Sequence, residues 1–105
     1  MATYAISFEI KSDSTYSKRY QSLMAQVHKC SIVWTETTSF ALVQTPESLE
    51  DLELRLFVQS EISHLRDKLL VINVTNIPGI FRGVNEMPAT LARLMPLVTQ
   101  TIPQS

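Results

Sequence analysis

Apolar and polar positions alternate from the start of the chain. In TYAISFEI, Tyr4, Ile6, Phe8 and Ile10 fall on one side and Ala5, Ser7 and Glu9 on the other, the period of a strand with one strongly apolar face. KSDST breaks that alternation, and Ser14 or Thr15 is placed to cap a following helix by accepting from its free N–H groups. Tyr16, Tyr20, Leu23, Met24 and Val27 then recur at helical spacing, which predicts a helix ending near His28. Lys18, Arg19, Gln21 and Gln26 lie outside its apolar stripe. SIVWTE and SFALVQ read as the arms of a hairpin around Thr37 and Thr38. TPESLEDL opens a second helix, with Pro46 suited to a first turn, Ser48 as cap and Glu47, Glu50 and Asp51 complementing the positive helix end. Leu49, Leu52 and Leu56 form one stripe of this helix, and Leu54, Val58, Ile62 and Leu65 a second on nearly the opposite side. KLLVINV is a β-branched run with the character of a central strand.

The order strand, helix, strand, strand, helix, strand closes into a four-stranded antiparallel sheet with both helices on one face. The expected fold class is α/β (α+β), a ferredoxin-like βαββαβ sandwich over residues 1–76. Residues 77–105 are expected to extend the same domain: a loop through NIPGIFRGVNEMP, a short helix bearing Leu91, Leu94 and Met95 that ends near Pro96, and a fraying TQTIPQS tail. Tyr4, Ile6, Phe8 and Ile10 must lie under the helices. In the last core strand Leu70, Ile72 and Val74 are expected to face the helices as well, leaving Leu69, Val71 and Asn73 on the open face. Exposed apolar sheet forfeits roughly 25 cal/mol per Å2. A homodimer stacking two open faces would recover it; the alternative is that the C-terminal segment folds back over that face.

Composition narrows the function classes. With 45% hydrophobic and 18% charged residues the chain is globular in character. A formal net charge of −1 and a pI of about 6.1 count against a broad phosphate-binding surface, which leaves a strongly basic balance. Cys30 is the single cysteine, so it forms no intramolecular disulfide and suits a reducing compartment. No stretch approaches about 18 continuous apolar residues, and no signal-like start precedes the first strand. These features set the expectation of a soluble, cytoplasmic protein.

YAISFEI with its amphipathic helix, then VWTETTSFALVQT, SLEDLELRL and LLVINV, resembles the small SinR-like proteins, relatives of the CRISPR spacer-acquisition subunit and the VapD toxins. The Ser39–Phe40 pair opening the third strand and Arg82–Gly83 ahead of a final helix carry the likeness, which runs from Thr3 to Val98. The resemblance implies a homodimer. In nuclease members an aspartate ending the first strand of each subunit gathers near the twofold axis and holds magnesium; here the matching residue is Glu9, whose carboxylate sits about 1.5 Å further out. Glu9, with Asp13 on the following loop, is therefore the candidate catalytic and metal pair for a Mg2+-dependent nuclease. Against it stands a solvated strand-end glutamate.

Other chemistry is sparser. His28, Cys30 and the distant His64 fall short of a transition-metal ligand set. Lys11, Lys18, Arg19 and Lys29 cluster around the first helix and could bind nucleic-acid phosphate, or could simply form a solvated face; Tyr16 and Tyr20, on the buried stripe, are not expected to stack on bases. There is no Gly-rich phosphate loop. Three readings follow: a non-catalytic homodimeric interaction protein acting through protein contacts and needing no cofactor, for which the resemblance implies a setting in mobile-element or defence biology; a Mg2+-dependent endonuclease or endoribonuclease using paired Glu9; and a small nucleic-acid-binding module.

Overall fold

The computed structural model describes residues 1–101. Its elements are β1 (Ala2–Glu9), α1 (Tyr16–Val27), β2 (Ile32–Trp34), β3 (Phe40–Thr45), α2 (Leu49–Val58), β4 (Lys68–Asn73), β5 (Gly79–Arg82), α3 (Pro88–Leu94) and β6 (Val98–Thr101). The first six build a four-stranded antiparallel sheet in the order β2-β3-β1-β4, the ferredoxin-like arrangement that alternating strands and amphipathic helices dictate. β5 and β6 form a separate two-stranded parallel sheet linked by α3.

The main core lies between the sheet and α1 and α2. Tyr4, Ile6, Phe8 and Ile10 from the β1 side meet Leu23 and Val27 of α1, Leu52 and Leu56 of α2, and Ala41 and Val43 of β3. Ser48 caps α2 by accepting from the Asp51 N–H at 3.1 Å. Thr15 occupies the cap position of α1 without a side-chain cap bond; its hydroxyl bonds Asp13 and accepts from Arg19 Nε.

A second core occupies the other face. Register places Trp34, Leu42, Ala5 and Ile72 in one row across the sheet. Leu91, Leu94 and Met95 pack onto Trp34, Leu42 and Ala5, with Phe81 and Val98 at the margin. The Trp34 and Phe81 rings meet edge-on at 5.8 Å, and Trp34 Nε1 donates to Asn85 Oδ1 at 3.2 Å. The C-terminal segment is pinned to β1 as well, because Thr3 Oγ1 donates to the Leu94 carbonyl at 2.9 Å. Residues 77–101 are thus more ordered than a loop and a lone helix. GIFR and VTQT are short runs whose strand character emerges from pairing with each other, and the remainder of the expected fraying tail, residues 102–105, lies outside the described residues.

Two facial assignments differ from expectation. In β4, Phe8 opposes Leu69 and Ile6 opposes Val71, so Leu69 and Val71 join the helix-side core, whereas Leu70 and Ile72 point to the other face. KLLVIN is apolar in both phases, so its period could not decide; the register with β1 does. In α1 the buried residues are Arg19, Leu23, Gln26 and Val27, while Tyr16 lies exposed. The helix is rotated so that two polar side chains enter the interior with their partners. α2 stops at Val58, which leaves Leu54 and Val58 as the exposed pair of its second stripe, places Ile62 in the core from the following loop and turns Leu65 to solvent.

Candidate functional site

The carboxylates singled out by the sequence sit where β1 ends and α1 begins. Glu9 continues the open-face side of β1 after Ser7, opposite Lys68 of β4. Its carboxylate lies 3.6 Å from Lys68 Nζ, and both side chains are more than two-thirds in solvent. Asp13 is differently occupied. It accepts from the Thr15 N–H and hydroxyl, and pairs with Arg19 and, at 3.1 Å, with Arg66. The Thr15 N–H and the Arg19 guanidinium hold its carboxyl down to a pKa of about 2. Asp13 is thus already paired with two guanidinium groups, whereas Glu9 meets only Lys68 among the described ion pairs. Among the described residues no group of three or more Asp, Glu, His or Cys side chains gathers in a form that could hold a metal ion.

Arg19 is the surprise of this corner. Its side chain, expected with the surface cations, is buried and bonds Asp67 with one amino group and Asp13 and the Lys11 carbonyl with the other. Asp67 is buried in turn and also accepts from the N–H groups of Lys11 and Ser63, at 3.0 and 2.8 Å. Burial pushes the Asp67 carboxyl up, but the Ser63 N–H, Arg19 and the Lys11 N–H outweigh it and the net shift is downward. The network ties the β1–α1 loop to the segment that enters β4. Arg19 is therefore withdrawn from any phosphate-binding surface. Of its expected companions, Lys11, Lys18 and Lys29 are exposed, and Lys18 pairs with Glu61 at 3.3 Å. Asp67 was missed in the sequence. Its only signal is position, in the short charged run RDK ahead of an apolar strand, and that does not separate a buried acid from a solvated one.

Beside this corner Tyr16 and Tyr20 stack at 6.0 Å with planes 15° apart. They border a groove of about 580 Å3 against the β2–β3 connection, which His28, Glu36, Thr38 and Phe40 help to line. His28 follows the last turn of α1 and is exposed, and Cys30 is buried, its thiol pushed up by burial and lying 3.4 Å from Arg55 Nη2. Arg55 also pairs with Glu47 at 2.8 Å and donates to the Gln26 carbonyl at 2.6 Å. These contacts link α1 to α2 and explain Gln26 and Cys30 as interior residues.

The remaining feature is the half of the open face that α3 does not reach. There β1 and β4 present Ser7, Leu70 and Ile72, with Leu70 57% and Ile72 46% exposed. Glu9 lies at the end of the same strip. The covering of the β2–β3 half removes the wholly bare face assumed from the strand pattern and leaves a narrower apolar surface. Comparison of the chain with protein-family models, with curated proteins and with solved structures finds no match.

Proposed function

We propose that this ferredoxin-like domain is a non-catalytic interaction protein that works as a homodimer through the β1–β4 half of its open face. The observation that supports the reading is the exposure of Leu70 and Ile72 side by side on a sheet whose other half is sealed by α3. Apolar sheet left in water is a recurrent mark of a contact surface. The likeness of VWTETTSFALVQT and LLVINV to the SinR-like group favours the same dimeric habit and a setting in mobile-element or defence biology.

Light scattering across a concentration series tests it. The expected result is a mass that rises towards twice that of one chain as protein concentration increases. A mass that stays monomeric up to the solubility limit overturns the reading.

A second reading keeps Glu9 as a magnesium ligand shared by two subunits. What favours it is the position of Glu9 on the contact strip, at the strand end and open to solvent. Cleavage of labelled RNA or DNA that requires Mg2+ and is abolished by Glu9→Gln would replace the non-catalytic reading with this one. Retarded migration of nucleic acid without cleavage, weakened by salt, would instead favour a binding module using Lys11, Lys18 and Lys29.

A further inference from the structure

The two edges of the main sheet are unlike. β2 is a three-residue strand, and its Trp34 is held by Asn85 and Phe81 of the C-terminal segment. β4 is six residues long, bonds to β1 alone among the described residues, and contains neither proline nor a charge within LLVI. Natural sheets blunt long edges with charges, prolines or bulges. This edge has no such device among its middle residues.

The direction of its backbone groups follows from two bonds. The Val74 N–H donates to the Thr3 carbonyl at 2.8 Å, and the Phe8 N–H donates the other way, to Ser39 beside β3. In an antiparallel ladder these directions alternate by residue. Leu70 and Ile72 therefore bond towards β1, and the N–H and C=O groups of Leu69, Val71 and Asn73 point outward.

We propose that β4 pairs antiparallel with the β4 of a second copy about a twofold axis at Val71, joining two sheets into one. The inference rests on the reading that the chain self-associates, and it moves the contact from a stacking of open faces to the β4 edge, where Leu70 and Ile72 of the two copies lie side by side. The argument for a second copy as occupant is that the strand fits itself. Opposed residues must share a face, so the axis passes through a residue rather than between two. Centred on Val71, the outward-pointing groups meet as Leu69 with Asn73 and Val71 with Val71, and each such pair exchanges both N–H···O bonds. On the open face Leu70 then lies beside Ile72 of the other copy, twice over, so the exposed apolar strip becomes a shared row. Lys68 falls opposite Val74, so no like charges face each other. An axis at Leu70 would bring together fewer outward-pointing groups and set Lys68 against Ile72. On the helix face a groove of about 460 Å3, lined in part by Phe57, Ile62 and Leu69, shows that α2 does not seal that side of the strand.

The register makes a specific test possible. Leu70 and Ile72 of two copies form a pair without mutual hydrogen bonds, with Cα atoms about 4.5 Å apart, inside the reach of a disulfide. L70C and I72C are exposed substitutions and are prepared separately, then mixed under thiol–disulfide exchange alongside each variant alone. The expected result is at least about tenfold more disulfide-linked dimer in the mixture than in either variant by itself. Cys30 is common to all samples, so any cross-link through it appears in the controls. A dimer by light scattering with no excess of the mixed disulfide overturns the edge pairing and leaves self-association standing. A linked dimer dominated by L70C with itself overturns the register. A strict monomer removes both the pairing and the reading beneath it.

Discussion

Arg19→Leu is expected to lower the midpoint of thermal unfolding by on the order of 15–25 °C. The substitution leaves Asp67 buried with two backbone donors and no compensating charge. It also removes the donor to the Lys11 carbonyl and one of the two guanidinium partners of Asp13. Removing one member of a buried ion pair is far more damaging than replacing the whole pair by apolar groups. Unfolding followed by the emission of Trp34, the single tryptophan, measures the shift. A loss of only a few degrees would show that water reaches Asp67 in place of the guanidinium.

The same network fixes the response to acid. Asp13 titrates at about 2 in the fold, held there by the Thr15 N–H and Arg19, against an ordinary value near 3.8. Asp67 is shifted in the same direction, the Ser63 N–H and Arg19 overcoming the effect of burial. A carboxyl whose pKa is depressed by folding contributes stability that is fully present above its unfolded value. That contribution fades as pH falls through the folded value. Urea midpoints should accordingly hold above about pH 5 and decline between about pH 4 and pH 2. In Arg19→Leu the decline should be shallower, since less depression remains to be lost.

Trp34→Ala is expected to cost about 3–5 kcal/mol, through the cavity it opens and the loss of its contact with Phe81. Trp34 is 3% exposed and centres the second core, where it meets Leu91 and Leu94. Its Nε1 partner, Asn85, also donates to Gln100 and so connects β2 to β6 of the small parallel sheet. Denaturant unfolding monitored by far-ultraviolet circular dichroism gives the cost. If the C-terminal segment were only loosely laid on the sheet, the variant would lose less than about 1 kcal/mol.

The order and class of the core elements were legible because each carries a clear period: alternation in TYAISFEI, helical spacing in YSKRYQSLMAQV, and Ser48 with Asp51 at the start of the second helix. What failed had no unique period. LLVI is apolar on both sides, so only pairing with β1 reveals that Leu70 and Ile72 face away from the helices. In α1 the rule that charged residues lie outside misplaced Arg19, because its partners Asp13 and Asp67 come from a loop and from a segment 48 residues along the chain. The candidate site was legible only in part. The exposure of Glu9 at a strand end follows from alternation, but the engagement of Asp13 with two arginines depends on contacts across the fold. The strands GIFR and VTQT are too short to announce themselves; each becomes a strand through the other.

β1 precedes both of its neighbours in the chain, is one of the two inner strands, flanked by β3 and β4, and is fastened at Thr3 to the end of α3. Phe8 must wait for Leu69 before that flank is filled, and at roughly 5–20 residues per second translation keeps it waiting for several seconds. The native packing of YAISF is therefore completed only by residues made later in synthesis, Leu69 along its flank and Leu94 at Thr3.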